Sequence, residues 1–286
     1  MGRRDAVALT APSPRVVHSL FSESSCRVYW RIATAPPTSP SVPTVERMEE
    51  TRKSYHSELE DLRSLVVRLG ASVIEAIPRA TNVLLSGDLE GADYLVQSDD
   101  EIDARAHDVE DRTFEILALQ APVAGELRQL VSILKITSDL ERSADLAVNI
   151  CKAARRIYGK EIDPVLRGLI SKMSEQAEQL FQAAINSFAE NDAATAAAIE
   201  DMDSFLDALH RQFVQAIFET HARERMDLQL AVQLAIVARF YERIGDHAVN
   251  VGERVRFALT GWKPELRAIA RQRQRDATGE LPTTRG

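Results

Sequence analysis

Residues 139–151 of this chain read DLERSADLAVNIC, and residues 240–252, which lie 101 positions later, read FYERIGDHAVNVG. Six of the thirteen positions are identical, and both copies place apolar residues at spacings of three and four. This spacing is typical of an amphipathic helix, and a repeat over such a distance indicates a duplicated structural unit. The sequence therefore predicts two copies of one helical unit of about 100 residues.

The same apolar spacing continues through the body of the chain, for example at Leu59, Leu62, Val66, Leu69 and Val73. No alternating strand pattern competes with it. Five turn signals divide the body into six long helices. The turn signals lie at Gly87-Asp88, Gln120 to Pro122, Tyr158-Gly159, Asn191-Asp192 and His221 to Arg225. We therefore predict an all-α fold of two tandem three-helix bundles related by internal duplication.

The composition changes at both ends of this helical body. Residues 1–47 contain six prolines among Ser, Thr and Ala, and we predict that they form a disordered N-terminal extension. Residues 262–286 are rich in arginine and poor in apolar residues, and we predict a flexible basic tail. Between them we predict a first three-helix bundle at 48–160 and a second at 161–261.

The charge of the chain is unevenly distributed. The 286 residues carry a formal net charge of −8 at pH 7, but residues 1–47 and 261–286 each carry +3, which leaves −14 on residues 48–260. An acidic body is unsuited to the phosphate contacts of a nucleic-acid-binding protein, and it favours a cation or a basic protein partner. The chain has only two cysteines and no apolar run long enough to span a bilayer, so we expect a cytoplasmic protein without membrane insertion.

Pairs of acidic residues four positions apart recur on the second and third helices of each repeat. This spacing places both carboxylates of a pair on one helix face. If the two helices pack side by side, two pairs converge, and four carboxylates suit Mg²⁺, Ca²⁺, Mn²⁺ or iron. The candidate ligands are Asp99, Asp103, Glu141 and Asp145 in the first repeat and Asp203, Asp207, Glu242 and Asp246 in the second. Because acidic residues are abundant in this chain, the pairs taken alone favour a structural or partner-binding face over a metal site.

The other reactive side chains do not indicate an enzyme. His247 does not fit the Glu-x-x-His pattern of buried di-iron sites. His107, His210 and His221 are expected at the surface or at helix ends, and Cys151 is expected in the core. The sequence contains no nucleophile triad and no glycine-rich phosphate loop, so we predict no catalytic residues. A metal-dependent phosphohydrolase is the less favoured alternative.

Residues 120–128 read QAPVAGELR, and residues 241–250 read YERIGDHAVN. Together with the first duplicated segment, they resemble the Q-P-V-A-x-D-L-R and L-E-R-I-G-D-x-A-x-N patterns of the PhoU family. The likeness covers about residues 48–260 and includes the duplication. The first copy departs from the pattern at Ser143-Ala144, where the family has Ile-Gly, and the N-terminal extension has no counterpart in it.

This resemblance implies a homodimer of tandem three-helix bundles whose acidic motifs bind iron or zinc, including multinuclear clusters. It implies that the eight carboxylates named above are the metal ligands, and we expect supporting roles for Asn149, Asn250, Arg142 and Arg243. It further implies a non-enzymatic negative regulator of phosphate uptake and of the phosphate-starvation response. Such a regulator couples the phosphate ABC transporter ATPase to a sensor histidine kinase. A helical adaptor without bound metal is the main alternative.

Overall fold

The computed structural model describes residues 45–224 and 226–262, and six α-helices make up almost all of this part of the chain. The helices are α1 (Val45–Ser86), α2 (Leu89–Gln120), α3 (Gly125–Arg156), α4 (Pro164–Glu190), α5 (Ala193–Glu224) and α6 (Leu228–Thr260). No strand occurs among the described residues. The predicted all-α fold is confirmed, and four of the five loops fall at predicted turn signals. The break predicted at His221 to Arg225 is wrong for its first four residues, because α5 continues to Glu224.

Both predicted terminal segments lie outside the described residues, with small exceptions. The last three residues of the extension predicted at 1–47 belong to α1. Within the tail predicted at 262–286, Trp262 is described, and the Arg256 guanidinium carbon lies 3.5 Å from the centre of its ring. The chain divides into two compact units, one that ends at Ser54 and one that begins at Tyr55. The bundle boundaries given above, 48–160 and 161–261, stay predictions.

Aspartate side chains cap the N-termini of most of the helices. Asp88, Asp163 and Asp227 are the N-cap residues of α2, α4 and α6, and each accepts a hydrogen bond from a backbone N–H of the first turn. Asp192 accepts equivalent bonds at the start of α5. These caps pair N–H groups that have no partner within the helix. The helices can therefore begin directly after short loops, which makes consecutive helices antiparallel neighbours.

Both repeats contribute to one continuous hydrophobic core. Within each repeat the second helix packs against the third, as α2 does against α3 and α5 against α6. In the second repeat α4 also packs against α6, and between the repeats α3 packs along α6. Each three-helix unit thus covers the apolar surface that the other leaves open, as expected for stacked repeats.

A buried group of hydroxyls joins three helices from the two repeats. Thr81 Oγ1 on α1 lies 2.7 Å from Ser174 Oγ on α4 and 2.7 Å from Tyr241 Oη on α6. Thr81 Oγ1 also lies 2.8 Å from the backbone oxygen of Ile77. These hydroxyls satisfy one another's hydrogen bonds away from water, so they fix the positions of α1, α4 and α6 relative to one another.

Candidate functional site

Four of the predicted ligands come together where α2 packs against α3. Asp99 and Asp103 lie on α2 and Glu141 and Asp145 lie on α3, and we call these four the first carboxylate cluster. Burial, followed by the negative charges of Asp103 and Asp145, raises the pKa of Asp99 to about 6. Burial and then the charges of Asp103 and Glu110 raise the pKa of Glu141. Because carboxylates of one helix act on those of the other, the two pairs share one surface.

The other four predicted ligands meet in the same way where α5 packs against α6. Asp203 and Asp207 lie on α5 and Glu242 and Asp246 lie on α6, and we call these the second carboxylate cluster. Burial, followed by the charges of Asp207, Asp246 and Glu242, raises the pKa of Asp203 to about 6. Burial and then the charge of Glu242 raise the pKa of Asp246. The duplication therefore places corresponding carboxylates in corresponding surroundings.

Each cluster has a histidine beside it, which the sequence analysis did not associate with the acidic pairs. The Nδ1 atom of His107 lies 2.8 Å from the backbone oxygen of Asp103. That bond, followed by the charges of Glu110 and Glu141, raises the pKa of His107. In the second repeat, His210 Nε2 lies 3.9 Å from Glu242 Oε2. His107 is exposed, as expected, and it lies beside the first carboxylate cluster.

A basic side chain lies near each carboxylate cluster, a lysine in the first repeat and an arginine in the second. Arg239 forms an ion pair with Glu242 of the second cluster. At the first cluster, the charge of Lys152 lowers the pKa of Asp99 and partly offsets the effect of burial. The repulsion among the carboxylates is thus only partly compensated by the protein's own cations.

Gly245 allows α5 and α6 to approach each other at the second cluster. A Cβ atom at this position would meet Asp203 Oδ1 and would lie 2.7 Å from Leu206 Cδ2. Asp203 therefore lies directly over the backbone of α6. The corresponding residue of the first repeat is the buried Ala144, the smallest side chain that could occupy it.

The oxygen ligands of each cluster suit a cation, although their present side-chain positions do not converge on a single point. Four carboxylates on adjacent helices provide the oxygen ligands that hard metal ions prefer. Asp99 Oδ1 is buried and accepts no hydrogen bond in the described part of the chain, so an acceptor is left for a cation to satisfy. Within residues 45–224 and 226–262, no three acidic, histidine or cysteine side chains are already placed to hold one metal ion. Ligation would therefore require side-chain rotations within a cluster.

The predicted supporting residues lie in different surroundings. Asn250 Nδ2 donates to Asp139 Oδ1 at 3.2 Å, and the same oxygen lies 2.9 Å from His247 Nδ1. Asp139 and His247 are only 8% and 6% exposed, where α3 packs along α6. Asn250 thus binds at the contact between the repeats. The remaining three stay predictions: Arg142 and Arg243 are exposed, and Asn149 is half-buried.

Cys151 is fully buried, as predicted. Burial raises the pKa of its thiol to about 12, so the thiol stays protonated near neutral pH and is a poor nucleophile or metal ligand.

None of the helices in the described ranges is both long and apolar enough to cross a membrane.

Replacing Asp203 with asparagine should stabilise the protein near neutral pH. The folded state raises the pKa of Asp203 to about 6, so it binds a proton more tightly than the unfolded state, and stability falls as pH rises from about 4 to about 6. Removing the charge should raise the free energy of unfolding at pH 7.5 by about 1 kcal/mol, allowing for solvent screening, and should change little at pH 4.

Urea unfolding at low ionic strength, in EDTA and at both pH values, measures this effect without screening the charges. Asp201→Asn, at an exposed position two residues earlier on α5, is the matched control. Equal stabilities of Asp203→Asn and wild type at pH 7.5 would contradict the electrostatic account of the second carboxylate cluster.

Comparison with known proteins identifies the family to which this architecture belongs. A family model described as the PhoU domain matches twice, over residues 66–154 and 170–255, which together make up more than half of the chain. The chain belongs to the PhoU family. The two matches contain the two carboxylate clusters, one in each PhoU domain, and confirm the family membership inferred from the sequence motifs.

Curated PhoU relatives match most of this chain. One is the "Phosphate-specific transport system accessory protein PhoU homolog 1" of Mycobacterium tuberculosis, 36% identical over 214 residues, which are 74% of this chain and 96% of the relative. A second relative from that organism, named PhoU homolog 2, is 33% identical over 74% of this chain and 100% of its own length. A PhoU homolog of Clostridium acetobutylicum is 27% identical over 76% of this chain and 99% of its own.

Solved PhoU structures share the fold. The crystal structure of PhoU from Pseudomonas aeruginosa has a TM-score of 0.69 and 27% identity and covers 73% of this chain and 100% of its own. The phosphate transport system regulatory protein PhoU from Streptococcus pneumoniae has a TM-score of 0.68 at 24% identity, with 73% of this chain and 98% of its own covered, which supports the fold alone. The prediction of two tandem bundles related by duplication is thereby confirmed.

Proposed function

We propose that this protein is a cytoplasmic, non-enzymatic regulator that restrains phosphate uptake and the phosphate-starvation response. In this proposal it docks both the phosphate ABC transporter ATPase and a phosphate-sensing histidine kinase, as a homodimer whose carboxylate clusters hold metal ions. The observation that carries the proposal is the match of two PhoU domains, supported by relatives that are named as accessory proteins of phosphate-specific transport.

Regulation by docking requires a difference in affinity between two states of each partner. A protein that binds both states equally shifts neither, however tightly it binds. We therefore propose that the helical faces of this chain bind the phosphate-replete states of the transporter ATPase and the kinase more tightly than the starved states. The strong negative charge of residues 48–260 favours basic surfaces on both partners.

The metal proposal rests on the donor chemistry of the clusters. Asp99, Asp103, Glu141 and Asp145 would hold ions in the first repeat, and Asp203, Asp207, Glu242 and Asp246 would hold them in the second. A bound divalent or trivalent ion, with iron or zinc favoured, would neutralise carboxylates that repel one another in the metal-free protein. Its contribution would be structural, because it would tie the second helix of each repeat to the third.

The regulatory proposal is tested in a strain that lacks this gene and any second PhoU gene. Alkaline phosphatase should be expressed constitutively in high phosphate, because nothing then holds the kinase in its phosphate-replete state. Complementation with the wild-type gene should restore repression. Normal repression in the deletion strain would contradict the proposed function.

The metal proposal is tested by elemental analysis of the protein purified without a histidine tag. Glu242→Ala/Asp246→Ala should lower the iron or zinc content by about half, since it removes one of two clusters. Glu200→Ala/Asp201→Ala removes two exposed carboxylates from α5 and should leave the content unchanged. Wild-type protein without stoichiometric metal would leave the alternative of an adaptor without bound metal. Turnover of phosphoesters or polyphosphate that Asp246→Ala abolishes would instead support the phosphohydrolase alternative.

A further inference from the structure

The duplication preserves an exposed aromatic residue that neither the core nor the carboxylate clusters explain. Phe114 on α2 and Phe218 on α5 are separated by 104 positions, as are Asp99 and Asp203. Their exposed fractions are 55% and 67%. An apolar residue that recurs in both repeats is usually part of the core, but these two phenylalanines are exposed. Their recurrence therefore needs another explanation.

The burial pattern around them shows that the two positions correspond. Three buried pairs with the same 104-residue separation surround the phenylalanines; they are Val109 with Phe213, Thr113 with Ile217, and Ile116 with Thr220. Each phenylalanine is followed by an exposed glutamate, Glu115 or Glu219. The repeated feature is therefore a Phe-Glu pair on the solvent side of the second helix. We call Phe114-Glu115 and Phe218-Glu219 the Phe-Glu pairs.

The phenylalanine of each Phe-Glu pair lies on the same stripe of its helix as a carboxylate cluster, and the glutamate lies about 100° further round the helix. Phe114 follows Asp103 by eleven residues, and Phe218 follows Asp207 by eleven. Eleven residues are close to three full turns, so the phenylalanine points to the same side as the aspartate, about 16 Å further along the helix. A partner that lies along this stripe would meet the carboxylate cluster first and an exposed ring next.

The charge of the two helices decides which partner fits. Helix α2 carries ten acidic residues against two arginines. Helix α5 carries six against two, and four of its six acids precede Phe218 by eleven residues or more. Two copies of such a face would repel each other, which disfavours a second copy of this chain as the occupant. A basic surface with an apolar side chain at its centre would pair with the glutamates and cover the phenylalanine, which is the usual composition of an interface hot spot.

We propose that the Phe-Glu pairs are two docking surfaces for basic, apolar-centred surfaces of partner proteins, one on each repeat. This inference rests on the proposed function, because it takes the transporter ATPase and the sensor kinase as the partners to be tested. The first surface is the more acidic, since Glu110 and Asp111 precede Phe114 where Val214 and Gln215 precede Phe218. The two surfaces can therefore prefer different partners.

The binding of the full-length chain to the purified transporter ATPase and to the cytoplasmic portion of the kinase from the same organism tests this inference. Phe114→Ala/Phe218→Ala should raise the Kd for both partners about 30-fold, as expected for hot-spot aromatic residues. Each single variant should raise the Kd of at least one partner about 10-fold. Tyr94→Ala and Phe205→Ala are matched controls, because these exposed aromatics have Ala198 and Glu101 at the corresponding repeat positions, and they should change neither Kd.

Charge reversal tests the basic chemistry of the partner. Glu115→Lys/Glu219→Lys should weaken both complexes about 10-fold and reduce their salt dependence, whereas Glu90→Lys, at an exposed position with no acidic counterpart, should not. Unchanged binding after the Phe or the Glu substitutions, with wild type binding normally, would overturn this inference alone. Wild-type protein that binds neither partner would overturn the proposed docking as well. A Phe-dependent change in the mass of the free protein would assign the surface to self-association and also overturn the inference.

Discussion

Replacing Asp139 with alanine should lower the free energy of unfolding by about 3 kcal/mol, because it removes the charged centre of a buried hydrogen-bond group. Asp139 Oδ1 lies 2.9 Å from His247 Nδ1 and 3.2 Å from Asn250 Nδ2. The Nε2 atom of His247 is buried and makes no hydrogen bond in the described part of the chain. Without Asp139, therefore, the imidazole would lose its hydrogen bond to the carboxylate and would remain buried.

The effect should be measurable by both chemical and thermal unfolding. For a body of about 200 residues, 3 kcal/mol corresponds to a loss of roughly 6 to 12 °C in Tm. Ser138→Ala, one residue earlier on α3 and half-buried, is the matched control and should cost far less. If Asp139→Ala and Ser138→Ala were equally stable, the buried group would contribute nothing to the contact between α3 and α6.

A double variant separates the cost of a broken pair from the net contribution of the intact one. Replacing a buried polar pair by apolar residues of similar size is often neutral. Asp139→Leu/His247→Leu should therefore recover most of the stability that Asp139→Ala loses. The repeat offers a precedent, since the corresponding positions are occupied by the apolar residues Phe240 and Leu146. A double variant as unstable as Asp139→Ala would show that the polar group itself is needed at this position.

The Asp139 group also marks the limit of what the sequence could predict. The turn signals predicted six helices and the internal repeat predicted two equivalent units. The pairing of acidic residues within each unit could be predicted because residues four apart on a helix share a face and adjacent helices are antiparallel. The contact of Asp139 with His247 spans 108 positions and joins the two repeats. Aligning the repeats with each other says nothing about how one packs on the other, so this contact could not be found from the motif.

The surroundings of the clusters show the same limit on a smaller scale. The positions of His107 and His210 beside the carboxylates depend on how each helix is rotated about its axis. The apolar pattern fixes that rotation well enough to predict buried residues, but a histidine that lies outside the buried stripe, as the exposed His107 and the half-buried His210 do, is compatible with either side. The charged residues that neighbour it on the adjacent helix can be identified only when the relative positions of the two helices are known.

Replacing Gly252 with valine should destabilise the protein by about 3 kcal/mol, because no side chain fits at this position of α6. A Cβ atom there would lie 2.8 Å from the backbone oxygen of Ala196 and 2.9 Å from Ile199 Cδ1. A backbone oxygen cannot rotate away, so α5 would have to move. The corresponding residue of the first repeat, Cys151, is a fully buried side chain, which shows that the closer approach is specific to the second repeat.

Gly168→Val is the matched control for this prediction, because an added Cβ at Gly168 on α4 meets nothing within 4 Å. It should be close to neutral or slightly stabilising, since glycine is a poor helix former. Equal stability of the two variants would contradict the steric argument.

The same substitution separates the two clusters functionally. Gly252 lies two turns from Gly245, on the same face of α6, over which Asp203 sits. Moving α5 away from α6 should separate Asp203 and Asp207 from Glu242 and Asp246 while it leaves the first carboxylate cluster intact. If both clusters bind metal as proposed, Gly252→Val should lower the metal content of the folded protein by about half, and Gly168→Val should not change it. Full metal content in folded Gly252→Val would show that the second cluster does not depend on the close packing of α5 against α6.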